Sequence, residues 1–140
     1  IAAYYKRLTS KDAGVRLQAA RAWSIWEAAT SFMNQDPLHI ARAGEEAFAE
    51  AFARIECHYF VNKGFFTSDD HLLAGVSGIR QIPAVIVQGR YDVVCPMITA
   101  WELHRAWPEA AFKIVPGAGH SSMEAGIIDQ LVQATDQFRP

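Results

Sequence analysis

The spacing of apolar and polar residues divides the chain into two stretches with different periods. In the first, apolar positions recur at steps of three and four. Val15, Ala19, Ala22, Trp23, Trp26 and Thr30 form one such stripe, which predicts a helix with one face toward a core. That helix is expected to begin near Asp12, with Thr9 or Ser10 as its cap. Asn34, Asp36 and Pro37 interrupt the pattern and predict a loop. A second helix is predicted over 42–59, with Ala47, Phe48, Ala51, Phe52, Ile55 and Tyr59 on its inward face and Gly64 beyond its end. A shorter helical stretch is expected over 69–73, with Ser68 as its cap.

From Ile82 the pattern changes. The run AVIVQG over 84–89 is apolar, β-branched and ended by glycine, and it predicts a strand buried in a parallel sheet. Pro96 suits the first position of a helix over 97–107, and Pro108 stops it. AFKIVP over 111–116 predicts a second strand, GAGH over 117–120 a tight turn, and 122–138 a final helix. Strand, helix, strand, helix with short connections is the α/β pattern. Two strands are too few for a covered parallel sheet. The remainder is expected from residues outside these or from another chain.

Composition narrows the partners. With 140 residues, 51% apolar and 20% charged, the chain can bury a core and is not of the disordered class. The formal net charge is −2 and no basic stripe occurs, so neither nucleic acid nor an anionic membrane is the expected partner. A small molecule or another protein is. The two cysteines, Cys57 and Cys95, form neither a disulfide framework nor a metal-ligand spacing. The expectation is two reduced thiols in a cytoplasmic protein. No apolar run reaches the roughly 20 residues of a membrane helix. The chain opens on Ile1 without a signal-like segment, and the expectation is a piece of a longer polypeptide. No metal or cofactor is expected, and the pattern carries no signal for oligomeric state.

Two residues at strand ends carry the candidate chemistry. Asp92 follows the first predicted strand and His120 the second. In open α/β sheets the crevice at the carboxyl ends of the strands is where ligands bind. A carboxylate and an imidazole delivered there by neighbouring strands can pair, the acid fixing the tautomer and stabilising the protonated ring. Gly117 and Gly119 are expected to permit the tight path that aims the ring. The order, acid before histidine, is that of the α/β-hydrolases, in which a serine nucleophile comes first. No such nucleophile is present. GVSGI over 75–79 departs from the G-x-S-x-G spacing and has no strand before it. Cys95 and Ser121 read as packing and turn residues.

The strings RAWSIWEAAT (21–30), ARIECHYFVNKGFF (53–66), IPAVIVQGRYDVVCP (82–96) and GAGHS (117–121) resemble the proline iminopeptidases, or prolyl aminopeptidases. GRYD and GAGH are fold-level signals shared by many hydrolases, whereas the WE and ARIE–HYF strings are specific. One departure is Cys57, where the family usually has asparagine. The resemblance implies a helical cap over 1–78 and the C-terminal part of an α/β-hydrolase core over 79–140. It implies release of N-terminal proline from peptides, with Asp92 and His120 as triad acid and base. Glu27 and Glu56 would match two cap glutamates that hold the substrate's amino end.

The residues around these glutamates agree. Glu27 lies four after Trp23, and Glu56 four after Phe52, each on or beside an apolar stripe. A partly buried carboxylate is costly unless paired, and no lysine or arginine lies one turn away on the same side of either helix. Two carboxylates facing a cationic amine would make an amide hydrolase an exopeptidase. The aromatic residues Trp23, Trp26, Phe52, Tyr59 and Phe60 could pack the pyrrolidine ring. Two other readings stay open: a capped esterase or amidase, and a non-catalytic remnant or binding module on the same scaffold.

Overall fold

Asp12, rather than Thr9 or Ser10, starts the long helix. Its Oδ1 accepts the backbone N–H groups of Gly14 at 2.8 Å and Val15 at 3.2 Å, the capping geometry that satisfies otherwise orphaned donors. Thr9 instead ends a short helix the periodicity did not reveal. The computed structural model describes residues 1–139; Pro140, the last residue of the expected hydrolase segment, lies outside the described residues. In order the elements are α1 (Ala2–Leu8), α2 (Ala13–Ser31), α3 (Pro37–Ala43), α4 (Glu46–Val61), α5 (His71–Gly75), β1 (Val85–Gly89), α6 (Met97–Ala106), β2 (Ala111–Val115) and α7 (Ala125–Gln137). Two compact units result. One comprises Ile1–Ala29 and Gln35–Thr67, the other Thr30–Asn34 and the residues from Ser68 onward.

The predicted loop at Asp36 and Pro37 is the start of α3. Asp36 caps it through Leu38 N at 2.9 Å, and Pro37 takes the first turn. Both residues break a preceding helix and begin a new one, so the same letters fit either reading. The single helix expected over 42–59 is therefore two, divided at Gly44 and Glu45.

The inward faces of α2 and α4 differ from the expected stripes. On α2 the buried residues are Ala19, Ala20, Trp23, Ser24, Glu27 and Ala28, while Trp26 is 61% exposed. On α4 they are Ala49, Ala53 and Cys57, and Phe48, Ile55 and Tyr59 face outward. Leu8, Ala19, Ala20, Trp23, Ala49, Ala53 and Cys57 form one core. Small residues at steps of four let α4 approach its neighbours closely, an arrangement that large side chains would prevent. Arg16 Nε bonds Glu50 Oε1 at 3.0 Å across the same pair of helices. Burial pushes the Cys57 thiol above its ordinary range.

In the second unit β1 and β2 pair in parallel, from Val85 opposite Ala111 to Gly89 opposite Val115, with α6 as the crossover. Val115, Ala118 and Ile127 form its core, with Val87 packed against them. β1 is half-buried and Ile114 of β2 is 42% exposed. The strands are thus less covered than their apolar runs predict, because side chains project from both faces of a sheet and the elements packed on β1 and β2 leave part of those faces open. Pro96 caps α6 from outside, with extended ψ of 147°, instead of forming its first residue. Arg80 and Glu109 make a two-pronged ion pair, with Nε to Oε2 at 2.9 Å and Nη2 to Oε1. Among the described residues no helix is long and apolar enough to cross a membrane.

Two outcomes test this packing. Ala53→Leu should destabilise by about 1–3 kcal/mol through overpacking, whereas Ala51→Leu, on the face first expected to be buried, should stay within about 0.5 kcal/mol; urea unfolding distinguishes them. The hydrogen bonds from Arg80 hold the Glu109 carboxyl below its ordinary range. Its contribution is therefore present above the unfolded carboxyl pKa and lost as pH falls through the folded value. Glu109→Gln should lower Tm slightly at neutral pH and leave it unchanged in acid, with the neutral-pH difference shrinking in high salt.

Candidate active site

The register of the two strands sets the site. Gly89 lies opposite Val115, so both carboxyl ends leave the sheet side by side. Asp92 follows one end and His120 the other. The loops are stitched together by Arg90 N to Val115 O at 3.0 Å and Tyr91 N to Ala118 O at 2.9 Å. His120 Nδ1 lies 3.0 Å from Asp92 Oδ2. The Asp92 side chain is 6% exposed and that of His120 36%. The pair therefore has its carboxylate enclosed and its imidazole open.

Asp92 is surrounded by donors. Its Oδ1 accepts Val94 N at 2.9 Å and Cys95 N at 2.8 Å, and its Oδ2 accepts Gln88 Nε2 at 3.3 Å beside the imidazole. An ionised carboxylate offers about four acceptor sites, and these four groups meet them. The carboxylate is thereby fixed in orientation as well as in place. Gln88 also reaches Cys95 O at 3.1 Å. Gln88 was not among the residues expected from the sequence, where its one signal is a lone amide at the end of an otherwise apolar strand.

The glycine that matters most was also missed. A Cβ on Gly89 would lie 1.8 Å from Gly119 O and 2.8 Å from Ala118 O. The end of β1 and the turn before His120 touch through bare backbone. Gly117 and Gly119 were expected to serve by conformational freedom, but among the described residues Gly64 is the glycine with positive φ. Gly119 matters through close approach instead, and Gly117 faces open space. Ser121 behaves as a turn residue, its Oγ accepting Met123 N at 3.1 Å. The stretch around Ser77 is helical turn without a preceding strand, so it builds no nucleophile elbow.

Glu27 and Glu56 lie in the first unit. Glu56 Oε2 accepts the Trp23 indole N–H at 2.5 Å. Glu27 is one turn beyond Trp23 on α2 and is 9% exposed. Trp23 is held by Tyr4 edge-on at 5.2 Å and by Phe60 at 6.0 Å. Of the other aromatic residues considered, Tyr59 and Trp26 are exposed. Among the described residues, no three His, Cys, Asp or Glu side chains cluster as metal ligands.

The backbone contact at Gly89 yields a test. Gly89→Ala forces the His120 turn to move. It should cost about 1–3 kcal/mol and weaken the low-field proton signal of an Asp-bonded imidazole, read by NMR. Gly117→Ala, with space around it, should change stability by no more than about 0.5 kcal/mol.

The model of the family described as TAP-like protein matches residues 44–134. A probable proline iminopeptidase of Leptolyngbya boryana is 59% identical over 99% of this chain and 43% of its own length. The proline iminopeptidase of Xylella fastidiosa strain Temecula1 is 58% identical over 99% of this chain and 44% of its own. That of Arabidopsis thaliana is 54% identical over 98% of this chain and 36% of its own. The chain spans less than half the length of these curated relatives. The matched segment covers α4 through most of α7 and includes both loops that carry Asp92 and His120, and the chain belongs to the TAP-like family of α/β-hydrolases.

Proposed function

We propose that this chain is the C-terminal part of a serine prolyl aminopeptidase, with residues 1–78 forming a helical cap and 79–140 the end of the hydrolase core. The observation that carries the reading is the Asp92–His120 hydrogen bond at the aligned ends of two parallel strands. The similarity to proline iminopeptidases, which runs over 98–99% of the chain, supports the substrate: a peptide with N-terminal proline.

In the proposed reaction a serine supplied by the rest of the polypeptide attacks the carbonyl of the proline. His120 accepts the serine proton through Nε2, while Nδ1–H donates to Asp92 Oδ2. The carboxylate stabilises the imidazolium as it forms. His120 then gives the proton to the leaving amine, and repeats the cycle with water. Glu27 and Glu56 bind the ammonium of the proline, which is present only at a free N-terminus. The Trp23–Glu56 bond sets the Glu56 carboxylate on one side of the tryptophan and leaves a charge for the substrate to neutralise. We place the enzyme in the cytoplasm, where Cys57 and Cys95 remain thiols.

In the full-length protein, Glu56→Gln keeps shape and removes charge. Removing one partner of a desolvated ion pair costs about 2–5 kcal/mol, and about 1.4 kcal/mol is tenfold. kcat/KM for proline amides should therefore fall at least about tenfold in Glu56→Gln and in Glu27→Gln. Neutral esters without an amino group should be hydrolysed nearly as before, and His120→Ala should abolish both activities. Equal losses on amides and esters would show that the glutamates support the fold rather than read the N-terminus.

A further inference from the structure

The turn that carries His120 is gripped from two sides by groups the proposed reaction does not use. On one side, Ser31 O accepts His120 N at 2.9 Å and Ser121 N at 2.8 Å. On the other, Glu124 Oε1 accepts Gly119 N at 2.6 Å and Glu124 Oε2 accepts Met33 N at 3.2 Å. One carboxylate therefore ties the residue before His120 to the segment that supplies the Ser31 carbonyl. Hydrogen bonds to an ionised acceptor are shorter and roughly twice as strong as neutral ones.

Glu124 is itself fixed. It is the cap residue of α7, and its carbonyl accepts Ile127 N and Ile128 N, each at 2.9 Å. The grip is also close. A Cβ on Gly119 would meet Met33 N at 3.1 Å, Glu124 Oε1 at 3.2 Å and Ser31 O at 3.3 Å. All three are members of the same network.

We propose that Glu124 is a positioning residue for His120, acting through the backbone of Gly119. The inference rests on the reading of His120 as the proton-transferring base. Asp92 holds the ring by one nitrogen, and Glu124 holds the backbone from which the ring projects. Both restraints are needed to place Nε2. A misplacement of about 1 Å at a reacting group can cost about a hundredfold in rate. Glu124→Gln leaves one acceptor oxygen for two N–H donors and turns an NH2 group toward one of them, so one restraint is lost.

The test uses the full-length protein and two readouts, the low-field Nδ1–H signal of His120 and steady-state kinetics on a proline amide. In the wild type the signal should be present and should vanish in Asp92→Asn. In Glu124→Gln it should weaken or shift. kcat should fall about ten- to hundredfold with KM within about twofold, as expected when ring placement and not substrate binding is lost. Gly119→Ala, which wedges the same network apart from the opposite member, should give the same signature. Wild-type signal and kcat in both folded variants would overturn the proposal. So would lowered stability with signal and kcat intact, since that is a purely structural role. Absence of any Asp92-dependent signal in the wild type would sink the Asp92–His120 pairing and the positioning role together, an outcome distinct from the others.

Discussion

A contact between two stretches of bare backbone organises the second unit. Gly89 ends β1 directly against the Gly119 carbonyl, at a distance where no side chain fits. Because Gly89 is also in register with Val115, the two strand ends and their loops are locked at one edge of the sheet. Asp92 and His120 inherit their proximity from that lock. The donors around Asp92 then determine which way its carboxylate faces, and Ser31 and Glu124 hold the turn beneath the imidazole. The side-chain pair is thus the last step in a chain of backbone constraints, each of which must hold before a 3.0 Å bond can form.

The first unit solves a different problem. Its helices meet through alanines and a cysteine, so the close approach comes from absent side-chain volume, and the larger aromatic residues are displaced to the rim. Trp23 is the exception. It is buried in the core and uses its indole N–H on Glu56, which meets part of the cost of a half-buried carboxylate. Glu27 lies one turn further along the same face. Two carboxylates near a tryptophan that packs against Tyr4 and Phe60 suit the proposed recognition of a cationic amine.

Proton transfer and amine recognition, as proposed, therefore draw on separate structural resources. One depends on parallel-strand register and a glycine contact, the other on small-residue helix packing around a tryptophan.

Much of this was legible in the chain itself. The change of period near residue 80, the glycine-ended apolar runs and the acid-then-histidine order identified the α/β class and the Asp92–His120 pair, because strand ends and turn residues are local signals. The family strings singled out Glu27 and Glu56. Periodicity also showed that α2 and α4 each have an inward face, but not which one. Large apolar residues satisfy the same spacing as small ones, and only the neighbouring helix decides which it can accept. Asp36–Pro37 could end one helix or begin another, and the packing of α3 decided it. Gln88, Gly89 and Glu124 were invisible for a related reason. Their roles lie in groups brought near by folding, an imidazole-bound carboxylate, a carbonyl and two backbone N–H groups. The sequence by itself determined which residues are the candidates for the chemistry. Only the tertiary structure decided what holds them in place, since a restraint is a distance between segments and a linear pattern contains no such distance.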